Sequence, residues 1–309
     1  MTPQHSSTSH GRYLLAGAAT FLICGLAALC LSLVAIQRNW VEWHFSSLLK
    51  YQLTKLRTTP KIDVLLVGDS TLGYSIDASQ WSKDLNRSVV SVALTGIYGY
   101  GGTLNMIRRA TRDHAISTVV IMQTPQLPLR PQSYVGYLHT APDLADIFKL
   151  PLSGIVKTAA SAMSWNVVQL GLVQSAFAAS PGAGEFAADY IQQSPPISTK
   201  PEPAPKALSS DGIDPGNLEY IRQIAVFCRT KSLNCIYVHG PLTASICRNS
   251  APYFDRFAAL TQTAGLRVAL PPTCMPWQDT GDEFDHLIPA KKAEYSKRYF
   301  DALKPLLTQ

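Results

Sequence analysis

Apolar strand-like runs alternating with helical periodicity predict an α/β chain: a three-layer parallel sheet flanked by helices on both faces. Two further observations complete the fold class. A stretch without charge near the N-terminus, Tyr13–Ile36, predicts a transmembrane helix, and a break in the strand–helix rhythm at about 126–211 predicts a helical insertion. The chain has 309 residues, enough to bury one large core or one core with an inserted subdomain. The predicted organisation is a cytoplasmic tail (1–12), a span (13–36), a juxtamembrane helix and linker (37–60) and an α/β domain (61–309).

The span is 24 residues long and, at about 1.5 Å rise per residue, exceeds the roughly 30 Å hydrocarbon thickness, so it can cross with some tilt. It is too long for the apolar part of a cleaved leader, and no small-x-small site follows it, which points to an uncleaved signal-anchor. Arg12 stands on one side and Arg38, Glu42 and Lys50 on the other, a weak asymmetry that inclines to an inside N-terminus. Trp40, Trp43 and His44 suit an interfacial belt. Val41–Thr59 reads as an amphipathic helix leading off the membrane.

Beyond it, Ile62–Gly68 is an apolar run bounded by Pro60 and Gly68, the mark of a buried parallel strand. Ser88–Leu94, Ser117–Met122, Cys235–His239 and a short Leu266–Leu270 continue the strand series. Helices are expected at Gly102–Thr111, at Leu218–Thr230 with Asp214-Pro215 as cap and first turn, at Tyr253–Ala264 and at Ala290–Leu303. Within the insertion, Ala141–Ala179 reads as helical and Gln193–Lys206 as a Pro- and Ser-rich loop, together a lid or partner surface over the sheet's functional edge. Leu152–Ala179 is apolar, but Lys157 interrupts it before it reaches spanning length.

The 27 Lys and Arg give a formal charge of +6, yet they are dispersed. Lys55, Arg57 and Lys61 form one small group and Arg108, Arg109 and Arg112 another. Neither is dense enough for nucleic acid, and both read as a solvated basic surface just outside an anionic membrane. Of six cysteines, Cys24 and Cys30 sit in the span. The other four lack zinc-site spacing, and Cys228–Cys235 with Cys247–Cys274 is a plausible pairing in an oxidising compartment. No metal site or cofactor is expected, and the glycines of Gly96–Gly102 do not form a dinucleotide fingerprint.

Val67-Gly68-Asp69-Ser70 closes the first strand. Ligands of such sheets bind beyond the strands' carboxyl ends, so a serine at this strand-to-helix turn would be exposed near helix-end amides that favour developing negative charge. A lone Ser at a helix start is commonly an N-cap. The strand context, with a His near the chain's end, makes Ser70 a candidate nucleophile and His286 its base. His239, at the end of a strand, is the rival histidine, read as structural.

Together these segments resemble the SGNH/GDSL hydrolases over roughly Lys61–Val119 and Leu218–Leu303. The resemblance implies Ser70 as nucleophile, Gly96 after the second strand as an oxyanion donor and His286 as base. In that family an Asp stands three residues before the His. Here Glu283 holds that place with Asp282 one further back, and both remain candidates, whereas Asp285, next to His286, should point elsewhere. The family's Asn at the end of the third strand is replaced by Gln123, a candidate donor from a longer arm. Tyr98 and Tyr100 suit sugar stacking or ordinary packing.

The resemblance implies acyl transfer, of acetyl above all, to a cell-envelope or exported polysaccharide. Membrane-anchored relatives of that kind often work beside a multi-span acyl-donor protein. The expected location is a bacterial inner membrane with the domain on the periplasmic side. The alternatives are a carbohydrate or lipid esterase of the same fold, and a catalytically degenerate domain that binds polysaccharide or scaffolds a synthesis complex.

Overall fold

The computed structural model describes residues 7–38, 46–158, 160, 202, 206–281 and 284–308. Four parallel strands form the main sheet: β1 (Val64–Gly68), β2 (Val89–Ala93), β3 (Thr118–Gln123) and β4 (Asn234–His239). Their order is β2-β1-β3-β4, with β1 in register between Val89–Ala93 on one side and Thr118–Met122 on the other. β1, β2 and β3 are buried throughout, as strands covered on both faces must be. The run at Leu266–Leu270 is not a fifth strand. Only Val268 pairs, beside Tyr237, through Tyr237 N–H to Arg267 O and Ala269 N–H to Tyr237 O, while the Leu266 N–H turns back to the Thr261 carbonyl.

Strand alternation divides the core into two layers. Leu65, Val67, Val90, Val92, Val119, Ile121 and Tyr237 face one side. There they meet helices α2 (Ser46–Thr58), α5 (Gly99–Asp113), α7 (Pro215–Thr230) and α9 (Ala251–Thr263). Val64, Leu66, Val120, Met122, Ile236 and Val238 face the other, against α3 (Ser70–Ser75), α4 (Ala78–Leu85) and α10 (Lys292–Leu307). Each large side chain so buried contributes about 1.5–3 kcal/mol. Trp81 of α4 is wholly buried against Phe300 of α10, and its indole N–H reaches the Ser296 carbonyl at 3.1 Å, which fastens the last helix to the sheet. The chain is thus a mixed α/β protein with a parallel sheet between helical layers.

Helix α1 (Ser7–Gln37) contains one segment, Gly11–Ala35, long and apolar enough to cross a membrane. Its last turn docks on the domain: Leu33 is buried, and Gln37 Nε2 donates to the Ala141 carbonyl at the end of α6 (Tyr134–Thr140). Residues 39–45 and most of 159–205 lie outside the described residues, including Trp40, Trp43 and His44 and the second half of the expected Ala141–Ala179 helix. The described part of the insertion packs α6 on α5, where Asn105 Nδ2 donates to the Tyr137 carbonyl at 2.7 Å.

Disulfides join Cys228 to Cys235 and Cys247 to Cys274. The first ties the end of α7 to β4, and the second ties α8 (Ala244–Asn249) to the short strand Cys274–Met275. Cys24 and Cys30 are free. Full-length protein purified without reductant and denatured should therefore show two reactive thiols, and six after reduction, in a maleimide mass-shift assay; six before reduction would exclude both bridges.

Candidate active site

The chain leaves β1 at Gly68, turns at Asp69 and enters α3 with Ser70 at its first position. A side chain at Gly68 is sterically excluded, since a Cβ would sit 1.8 Å from the Met122 carbonyl oxygen of β3. Asp69 caps α3. Its Oδ1 accepts from the Thr71 N–H at 3.0 Å and the Thr71 hydroxyl at 2.7 Å, and its Oδ2 accepts from the Thr124 N–H at 2.8 Å. The Leu94 N–H donates to the Gly68 carbonyl at 2.9 Å. The Asp69–Ser70 turn is therefore bonded to the exits of both neighbouring strands. Burial pushes the Asp69 carboxyl up to about 6, against the pull of its three donors and with the charge of Asp285 adding to the rise.

Ser70 is half-buried, and its Oγ lies 2.9 Å from His286 Nε2. His286 arrives from the far end of the sequence on a tight loop. Thr280 and Leu287 pair antiparallel, and the Gly281 N–H donates to the His286 carbonyl at 2.6 Å. The Tyr74 ring of α3 lies against the imidazole at 4.4 Å between centroids. The expectation that Asp285 points elsewhere needs correcting, because this loop turns both neighbours inward. Asp285 is buried, with Oδ1 3.8 Å from His286 Nε2. Its carboxylate thus stands on the Ser70 side of the ring. The candidate acids Asp282 and Glu283 lie outside the described residues.

Gly96 opens the Gly96–Tyr98 turn directly after β2. A Cβ there would be 3.8 Å from Asp69 Oδ2, so its backbone stands beside the nucleophile turn. Ser70 and Gly96 each hold the first position of a helical turn, where the N–H has no intrahelical acceptor and is available to an oxyanion.

Gln123 takes a different place from the one expected. Residues 119, 121 and 123 share the α5 face of β3, so its side chain points away from Ser70 and its amide donates to the Thr103 hydroxyl of α5. Tyr98 and Tyr100, each 1% exposed, are core residues with no ring face open to a sugar. Tyr98 stacks on His139, and the Tyr100 and Tyr237 hydroxyls share a hydrogen bond at 2.8 Å. His239 lies among Tyr237, Phe254 and Phe257, a buried ring in an aromatic cluster.

Two residues stand at the site without having been singled out by the sequence. Asp69 left a faint signal, an Asx residue immediately before a helix start. Arg130 left none. Its Nη1 lies 2.9 Å from where a Gly96 Cβ would be, so the guanidinium rests on the Gly96 backbone. The turn carrying it is pinned by Asn217 of α7, whose Nδ2 donates to the carbonyls of Leu127, Pro128 and Arg130. Arg130 also opens onto a groove of about 500 Å³ walled by Leu129, Leu208, Ile246 and Phe284. Phe284, in the groove wall, is two residues from His286 in the chain.

No family model matches the sequence, and no curated protein matches it. Among solved structures, one from Streptococcus pneumonia described as a "putative platelet activating factor" aligns with 13% identity and a TM-score of 0.41. The alignment covers 94% of this chain and 99% of that one. At that degree of likeness, fold and chemistry rest on this chain's own residues.

The buried ionisable groups set the pH dependence of stability. Burial lowers His239 to about 3 and His139 to about 4, below the ordinary 6.5, so both stay neutral in the fold while the unfolded chain protonates them. This stability is present above pH 6.5 and is lost as pH falls toward those values. Asp69 acts oppositely, since the fold takes up its proton near 6 and the unfolded chain only near 3.8. Between pH 6 and 4 the net excess is one proton on the unfolded state. The unfolding free energy from urea titration should fall with acidification by about 1.4 kcal/mol per pH unit; a flat profile would contradict the buried neutral histidines.

Proposed function

We propose that this protein is a membrane-anchored serine acyltransferase or esterase acting on acyl esters, acetyl foremost, of a cell-envelope or exported polysaccharide. The observation that carries the reading is the 2.9 Å contact of Ser70 Oγ with His286 Nε2, made at a strand-to-helix turn beside two first-position amides. The β2-β1-β3-β4 order adds to it, because ligands of such sheets bind at the carboxyl ends of β1 and β3, where connections diverge. Helix α1 supplies the anchor, and the two disulfides agree with a domain on the oxidising, periplasmic side.

In the proposed reaction His286 Nε2 takes the Ser70 proton as Oγ attacks the ester carbonyl. The oxyanion rests on the Ser70 and Gly96 amides, with the Arg130 guanidinium beside Gly96 adding positive charge. Collapse expels the alcohol, which receives the proton from His286, and leaves an acyl ester on Ser70. His286 then deprotonates a sugar hydroxyl, or water, which attacks that ester and returns Ser70 to its starting state. Transfer and hydrolysis differ only in this second nucleophile. In the transfer reading a multi-span membrane protein delivers the acyl group.

The Ser70→Ala variant should keep its fold by circular dichroism, lose labelling by a fluorophosphonate probe and lose turnover of an acetyl ester by about 10³-fold or more. Full activity in that variant would end the proposal. Products with an acetyl donor and oligosaccharide acceptors then separate the two reactions: acetylated sugar indicates transfer and acetate alone indicates hydrolysis.

Arg130→Gln should lower kcat by roughly 10- to 100-fold with KM little changed, the behaviour of a group that acts on transition-state charge. An unchanged kcat would remove Arg130 from the oxyanion site.

A further inference from the structure

Members of the two small basic groups of the sequence, Arg57 on α2 with Arg109 and Arg112 on α5, come together beside the end of α1. Arg57 and Lys50 of α2, Arg109 and Arg112 of α5, and Arg38 just past the end of α1 line a single pocket of about 350 Å³. That volume is typical of small-ligand sites. Five cations face one carboxylate in the lining, Asp113. Arg112 also pairs with Asp143 at 2.8 Å, outside the pocket. Such a concentration of like charge lowers the stability of the empty pocket and favours an anion inside it.

The pocket is a rigid one. Arg109 Nε donates to the Thr140 carbonyl at 2.7 Å, and its Nη2 to the Ala141 carbonyl, which also accepts from Gln37 of α1. One carbonyl thus joins the membrane helix, α5 and α6. Burial and the neighbouring Arg112 lower the Arg109 pKa, as expected of a cation held among cations. Leu53 and Leu56 provide an apolar wall beside the charges.

Its height relative to the lipid follows from the chain. The apolar segment ends at Ala35, and Arg38 is three residues on, about 4.5 Å along the axis. A pocket opening there lies at head-group depth. We propose that it binds the phosphate-bearing head group of an anionic phospholipid, such as phosphatidylglycerol, from the leaflet in which the domain sits. The phosphate would meet the arginines and the glycerol would lie along the leucines. This rests on the reading of α1 as a membrane anchor. Lipid in the pocket would fix the domain's tilt and hence the direction in which the Ser70 cleft faces.

The test uses full-length protein in nanodiscs and, for titrations, in detergent. Wild type should incorporate into nanodiscs and, by native mass spectrometry, retain phosphatidylglycerol in preference to phosphatidylcholine. The double variant Arg38→Gln/Arg57→Gln, which changes two exposed side chains, should bind phosphatidylglycerol roughly 10- to 30-fold more weakly, about a factor of five per cation. A control of equal charge loss, Lys231→Gln/Lys304→Gln, should bind as wild type does. Equal weakening in both would reduce the effect to net charge and overturn the pocket. So would thermal stabilisation by inorganic phosphate alone equal to that by phosphatidylglycerol, which would make it a site for free anions. If wild type does not incorporate into nanodiscs, the anchor reading fails and the lipid site fails with it. Incorporation without lipid preference defeats the lipid site alone.

Discussion

The carboxylate of Asp69 accepts hydrogen bonds from Thr71 on its own helix and from Thr124 at the exit of β3, and the placement of Ser70 depends on that bridge. Without it, the turn after β1 would be held only by backbone bonds to Met122 and Leu94. A buried carboxylate costs free energy unless donors surround it. Here it joins the start of α3 to the neighbouring strand, so the serine is fixed relative to the sheet rather than to a flexible loop. Gly68 completes the constraint, because the β3 carbonyl it approaches leaves no room for a side chain.

The other half of the pair comes from more than two hundred residues away. His286 reaches Ser70 because α10 and the loop before it pack on the same face of the sheet as α3 and α4. Trp81 against Phe300, with the indole bonded to Ser296, is the packing that brings the C-terminal segment there. Lys292 adds a bond to the Gly73 carbonyl in α3. Core and site are thus coupled: loss of the α4–α10 packing would move His286 as well as expose the core.

The opposite helical layer faces a different task. The end of α1 docks at α6, and α2 and α5 gather four cations beside Arg38. The same domain therefore presents the Ser70–His286 contact at the strand termini and a basic pocket beside the long apolar helix.

The sequence by itself determined the strand–helix alternation, the strand-to-helix turn at Asp69–Ser70 and the long apolar helix, because each is written in local periodicity, whereas the cysteine pairing it only suggested. β1, β2, β3 and β4 fall within one or two residues of the expected runs, and the Asp214 cap stands where the sequence put it. Leu266–Leu270 has strand composition but not a strand partner, since composition does not encode the second edge a ladder needs. Only the tertiary structure decided which face of β3 Gln123 occupies, how deeply Tyr98 and Tyr100 are buried, and that Asp285 turns inward. The same holds for Arg130 over Gly96 and for Arg57, Arg109 and Arg112 meeting beside Arg38. These depend on contacts between segments far apart in the chain, and no local pattern records which distant surface a side chain will meet.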